Sequence, residues 1–92
     1  MEINHVPGKN KGKVMLYALS TCGWCKKTRA LLADLGVEYD YVYVDLLEGE
    51  DQEEAVAQMG KYNPATNFPT IVLNSGKAII GFKEDEIRQA FK

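Results

Sequence analysis

The sequence predicts an α/β domain of order β-α-β-α-β-β-α, with a central four-stranded mixed sheet flanked by helices. Three observations predict it. Apolar, β-prone runs alternate with segments of helical periodicity through the first two thirds of the chain, as in strands paired in parallel through a crossover helix. Two later runs, Thr70 to Leu73 and Ala78 to Ile80, are joined by Asn74-Ser75-Gly76-Lys77, whose residues suit a hairpin turn. The length of 92 residues allows one domain, above the roughly 40 residues below which a chain usually needs disulfides or metals to hold it together.

Residues 1 to 12 read as an irregular lead-in, because Pro7, Gly8 and Gly12 interrupt any regular pattern. Val14 to Leu19 is a continuous apolar run that suits a strand buried on both faces. Gly23 to Leu35 reads as a helix, with Thr28, Leu31, Leu32 and Leu35 on one face and Gly36 where a left-handed C-terminal cap is wanted. Val37 to Asp45 is rich in β-branched and aromatic residues and is predicted to be a strand. Its tyrosines Tyr39, Tyr41 and Tyr43, with Tyr17, read as core and sheet-face residues.

Glu48 to Met59 reads as a second helix. Its acidic start complements the helix dipole, and Ala55, Val56 and Met59 are placed toward the core. A polar loop from Lys61 to Asn67 leads into Phe68-Pro69 and the hairpin. The last helix runs from about Lys83 to the C-terminus, with Ile87, Ala90 and Phe91 on one face. The first two strands can pair in parallel through the crossover helix, right-handed by rule, and the hairpin closes the sheet antiparallel.

A hydrophobic content of 46% and a charged content of 26% are ordinary for a soluble globular protein. The formal net charge of −2 gives no electrostatic reason to expect nucleic acid or an anionic membrane as partner, and a monomer is expected. Lys9, Lys11 and Lys13 read as a solvated terminus, and His5 as an exposed residue. The apolar run at Val14 to Leu19 is too short for a secretory or membrane-spanning segment, so a cytoplasmic location is expected. In a reducing compartment two cysteines are not expected to form an inert staple.

Those two, Cys22 and Cys25, stand three apart in Ser20-Thr21-Cys22-Gly23-Trp24-Cys25-Lys26-Lys27, between a strand and a helix. Residues so spaced at a helix start are close enough for a disulfide to open and close with little backbone movement. Closing so small a loop stabilises a fold only modestly, which suits a redox switch better than a staple. Cys22 falls where an N-cap belongs, able to accept hydrogen bonds from the Trp24 and Cys25 N–H groups in the field of the helix dipole. Cysteines at helix N-termini have pKa values lowered from about 8.5 into the range of roughly 3.5–7.5. Cys22 is therefore the expected nucleophile, and Cys25, deeper in the helix, the resolving thiol. Lys26 is a candidate for stabilising the thiolate through its ammonium, and Lys27 a weaker one. A structural zinc site is disfavoured, since it needs about four ligands and His5 is the only other soft donor.

From about Lys13 to Lys92 the chain resembles the glutaredoxins of the thioredoxin superfamily, on three motifs: Cys22-Gly23-Trp24-Cys25, Phe68-Pro69-Thr70 and Gly81-Phe82-Lys83-Glu84-Asp85. The resemblance implies a thioredoxin-like sheet of order 2-1-3-4, counting the predicted strands from the N-terminus. It implies a cis bond before Pro69, with the backbone of Phe68 pairing with a bound thiol or peptide. It places Gly23, Trp24, Phe68, Pro69, Gly81 and Phe82 around the substrate. In glutaredoxins the turn matching Gly81 and the following helix start hold a carboxylate of glutathione. Two departures weaken that site: Phe82 replaces the second of two glycines, and Leu19 replaces a lysine three residues before the first cysteine. Gly81-Phe82-Lys83-x-Asp85 is similar instead to the glutaredoxin-like redoxins that serve ribonucleotide reductase and are recharged by thioredoxin reductase.

The expected function is thus reduction of protein disulfides by a dithiol electron carrier with no bound cofactor and no metal. Glutathione is a possible reductant, and a reductase of the thioredoxin reductase type the alternative. Two other readings stand beside it, an iron–sulfur cluster carrier using Cys22 and glutathione, and a fold kept only as an interaction module.

Overall fold

Val14 to Leu19 becomes the middle of the sheet because both of its faces find apolar cover. In the computed structural model, which describes residues 1–92, the elements are β1 (Asn4–Val6), β2 (Met15–Ala18), α1 (Gly23–Leu35), β3 (Tyr39–Tyr43), a 3-10 turn (Val44–Leu46), α2 (Gly49–Gly60), β4 (Thr70–Val72), β5 (Ala78–Ile80) and α3 (Glu84–Ala90). The sheet order is β1-β3-β2-β4-β5. Strand β2 pairs in parallel with β3 and antiparallel with β4, and β4 pairs antiparallel with β5. The four predicted strands therefore take the expected order.

A fifth strand was not expected. The lead-in is not irregular throughout: Asn4–Val6 pairs antiparallel with β3, placing Asn4 opposite Tyr41 and Val6 opposite Tyr39. The pairing is anchored by the His5 ring, whose Nδ1 lies 2.6 Å from Asp40 Oδ1. Further on, the Lys9 N–H donates to the Gly36 carbonyl at 2.8 Å, and the Lys9 carbonyl accepts from the Glu38 N–H at 2.9 Å. Glycine is needed at position 8 for this approach, since a Cβ there would lie 2.7 Å from the Gly36 oxygen. Gly36 itself caps α1 at φ 67°, as the sequence predicts.

The two faces of the sheet carry separate cores. Leu16, Ala18, Tyr39, Ile71 and Ile79 pack with Leu31 and Leu32 of α1 and Ile87 and Phe91 at the α3 end. On the other face Tyr17, Val42, Val44 and Val72 pack with Ala55 and Met59 of α2. Side chains alternate between these sets along β2 and β3, following the two-residue strand period. Leu16, Leu32, Ile71 and Ile87 are fully buried, each contributing about 1.5–3 kcal/mol through apolar area removed from water.

Three expectations need correction. Val56 is exposed, because Ala55 and Met59 at i and i+4 already define the inward stripe of α2 and Val56 is rotated off it. Ala90 is exposed, since the burial at this end falls on Ile87 and Phe91. The strand predicted to reach Asp45 ends at Tyr43 and tightens into the 3-10 turn. No helix is long and apolar enough to cross a membrane.

Candidate thiol site

Strand direction gathers the candidate residues at one end of the sheet. Ala18 at the end of β2 lies opposite Tyr43 at the end of β3, Tyr17 opposite Thr70 at the start of β4, and Thr70 opposite Ile80 at the end of β5. The segments running on from that end are Leu19 to Cys22, Val44 to Leu46, Phe68-Pro69 and Gly81-Phe82.

Cys22 is the N-cap of α1, with extended backbone at φ −89° and ψ 117°. Its sulfur accepts a hydrogen bond from the Cys25 N–H at 3.1 Å, and its carbonyl accepts from the Lys26 N–H at 3.1 Å. Of the two predicted N–H donors, Cys25 makes the bond and Trp24 does not. Both cysteines are free thiols, Cys22 half-buried and Cys25 buried at 1% exposure. Burial, the largest cause, pushes the Cys25 thiol up to about 12. Its hydrogen bond to Cys22 and the nearby charges of Cys22 and Asp45 act in the same direction, while the Leu19 backbone opposes them. One accessible sulfur at a helix start thus faces one protonated, buried thiol three residues on.

The other candidates separate. Trp24 is 57% exposed and stacks on Phe82, with ring centroids 5.7 Å apart. Lys27 places its ammonium 4.6 Å from the centre of the Trp24 ring, so its partner is an aromatic face. Lys26 is exposed, and no hydrogen bond joins its ammonium to Cys22. Gly23 is exposed with open space where a Cβ would stand. The Phe68–Pro69 bond is cis, as the resemblance implies, and Pro69 is buried. The Pro69 carbonyl accepts from the Gly81 N–H at 2.8 Å, tying the two outlying loops together. Gly81 has φ 84°, a backbone that an L side chain rarely adopts.

Three contributors escaped the sequence reading. Asn63, only 2% exposed, donates from Nδ2 to the Asn67 carbonyl at 3.1 Å and to Thr70 Oγ1 at 2.9 Å, bracing the loop before Phe68-Pro69. Arg29 on α1 donates to the hydroxyls of Tyr39 and Tyr43 and stacks its guanidinium 3.9 Å from the centre of the Tyr41 ring. The Asp45 carboxylate accepts from the Ser20 N–H at 2.8 Å and from the Ser20 hydroxyl at 2.5 Å. The first was findable in principle, as an Asn in a long loop before a strand, whereas the third depends on the register of β2 on β3. Nowhere do three or more His, Cys, Asp or Glu side chains converge as a metal site.

A mixed sheet whose second strand leads through one turn into a helix capped by a cysteine, with a cis-proline just before the neighbouring strand, defines a thioredoxin-fold protein. The glutaredoxin family model matches residues 14–78, and the chain belongs to the glutaredoxin family. It is 58% identical to the crystal structure of a glutaredoxin from Methanosarcina mazei Go1, with a TM-score of 0.90 over 97% of this chain and 86% of that one. It is 55% identical to Methanosarcina acetivorans methanoredoxin, with a TM-score of 0.88 over 91% and 88% of the two chains. A glutaredoxin-like 8.6 kDa protein in a rubredoxin operon of Clostridium pasteurianum is 30% identical over 80% of this chain and 91% of its own length. An uncharacterised monothiol glutaredoxin of Caenorhabditis elegans is 33% identical over 78% of this chain, which spans about half (48%) of that protein.

Proposed function

We propose that the chain is a dithiol electron carrier that reduces protein disulfides, with Cys22 as nucleophile and Cys25 as resolving thiol. The observation that carries this reading is the Cys22 sulfur at the N-cap of α1, receiving the Cys25 N–H at 3.1 Å. The Cys22 thiolate attacks one sulfur of the substrate disulfide, and the other sulfur leaves as a thiolate that takes up a proton. Cys25 then loses its proton and attacks the Cys22 sulfur of the mixed disulfide, releasing the second substrate thiolate. The balance is two electrons to the substrate and a Cys22–Cys25 disulfide in the protein. Burial of Cys25 suits this order, because a neutral thiol does not compete with Cys22 for the first attack.

In this reading Phe68, Pro69, Gly81 and Phe82 wall the substrate groove, and Trp24 and Gly23 border the sulfur. The backbone N–H and carbonyl of Phe68 have no partner within the fold, which supports pairing with an extended substrate segment. A second pair of thiols must return the electrons. Leu19 in place of a lysine, and a Phe82 ring engaged with Trp24, favour a flavoprotein reductase of the thioredoxin reductase type over glutathione. The setting is the reducing cytoplasm.

The test is turnover of insulin or a mixed-disulfide substrate, with glutathione and its reductase in one assay and thioredoxin reductase in the other. Turnover is expected in the second and abolished by Cys22→Ser. Fast turnover with the glutathione system alone overturns the choice of donor, and an active Cys22→Ser chain overturns the mechanism.

A further inference from the structure

The parallel register of β2 and β3 places Ala18 beside Tyr43, and two residues further along each chain stand Ser20 and Asp45. Asp45 lies in the middle of the 3-10 turn Val44–Leu46. Its two carboxylate oxygens take both donors of Ser20, the N–H on Oδ1 at 2.8 Å and the hydroxyl on Oδ2 at 2.5 Å. Ser20 and Thr21 are the central residues of the turn from Leu19 to Cys22. The bond closing that turn, from the Cys22 N–H to the Leu19 carbonyl, is 3.3 Å long, beyond the usual 2.7–3.2 Å for such bonds. The turn is therefore weakly closed by its own backbone, and a carboxylate holding two donors at shorter distance is the stronger tie.

We propose that Asp45 is a positioning residue for the thiol chemistry: by gripping Ser20 through both oxygens it fixes the turn that delivers Cys22 to the N-cap of α1. The inference rests on Cys22 being the attacking sulfur. The Ser20 bonds hold the Asp45 carboxyl below its ordinary range, so the grip is that of a carboxylate at neutral pH. Asp45 is exposed, so its loss removes little from the core. What it removes is local. Without the grip, Ser20 and Thr21 are free to leave the turn conformation, and Cys22 spends less time where its sulfur receives the Cys25 N–H.

The experiment follows alkylation of Cys22 by iodoacetamide at pH 7 in the reduced, full-length chain, quantified on the Cys22 peptide by mass spectrometry. Asp45→Ala is expected to slow Cys22 on the order of tenfold, the loss of a charge-assisted hydrogen bond, with the fold intact by circular dichroism. Asp45→Asn, which keeps an acceptor for the Ser20 N–H, is expected to recover to within about threefold of wild type, and Ser20→Ala to fall between. Equal rates in wild type and a folded Asp45→Ala chain overturn the proposal, as does an Asp45→Asn chain no faster than Asp45→Ala. Should Asp45→Ala fail to fold, Ser20→Ala carries the comparison, and a wild-type rate there overturns it. A wild-type chain whose Cys22 reacts no faster than its Cys25 overturns the assignment of the nucleophile itself, and this inference with it.

Discussion

Trp24 and Phe82 stack with ring centroids 5.7 Å apart and planes 26° from parallel, so the first turn of α1 is joined to the residues that open α3. One partner is 57% exposed and the other half-buried. A double-mutant cycle of Trp24→Ala and Phe82→Ala is expected to give a coupling of about 0.5–1.5 kcal/mol in urea unfolding. Additive effects would mean that the rings share a surface without interacting. Since Lys27 lies over the same indole, Lys27→Met should shift Trp24 fluorescence and cost under about 1 kcal/mol.

Cys25 links the site to alkaline stability. Its thiol is pushed from an ordinary 9.0 up to about 12, first by burial, so the folded chain holds the proton more tightly than the unfolded one. That contribution is complete below about pH 9 and disappears as pH rises from there to about 12. Tyr17, raised by burial, acts in the same sense above its ordinary 10.0. Thermal melts of the reduced chain are expected to fall through this window, and less steeply for Cys25→Ser. Parallel decline of the two would remove Cys25 from the account.

His5 gives the lead-in a dependence at lower pH. Its imidazole is raised above 6.5, chiefly by the hydrogen bond to Asp40. The docking of β1 is therefore fullest below pH 6.5 and weakens as pH rises through the raised value. Amide exchange at Asn4, His5 and Val6, corrected for its intrinsic base catalysis, should accelerate over that range. Asp40→Asn should flatten the dependence, and a curve unchanged by that substitution would show that the ring proton does not matter here.

Asn63 makes a prediction about the loop. Removing its buried amide leaves the Asn67 carbonyl and Thr70 Oγ1 without that donor. Asn63→Ala is expected to cost about 1–3 kcal/mol in denaturant unfolding, with a larger loss of turnover than of Cys22 alkylation, because Phe68-Pro69 shifts while α1 does not. A drop in alkylation as large as the drop in turnover would contradict this division of the site.

What was legible in the chain was local. Gly23 to Leu35 announces α1 through the spacing of Thr28, Leu31 and Leu32 and the cap at Gly36, and the hairpin strand Ala78–Ile80 is bounded by its own turn residues. Cys22 and Cys25 were readable because their placement depends on one strand and one helix start. The features that escaped depend on residues distant in sequence. Strand β1 is a polar Asn-His-Val segment that becomes a strand only because the edge of β3 lies open to it. The tie between Ser20 and Asp45 spans 25 positions and exists only through the register of two parallel strands. Val56 and Met59 both fit a helical stripe, and the packing of α2 on the sheet chooses between the stripes. The contact of Lys27 with the Trp24 indole depends on side-chain placement that spacing along the chain does not specify.

Strand β1 has a consequence beyond the pH response of His5. Tyr39–Tyr43 is a tyrosine- and valine-containing segment of high β-propensity, the sort of edge that recruits a second chain when left bare. With Asn4–Val6 along one side and β2 along the other, both flanks of β3 are occupied. The edges left to solvent are three-residue strands at either margin of the sheet, too brief to template a neighbour. The short segment Asn4–Val6 thereby closes the flank of β3 from within, so that the segment Tyr39–Tyr43 is an inner strand of its own sheet.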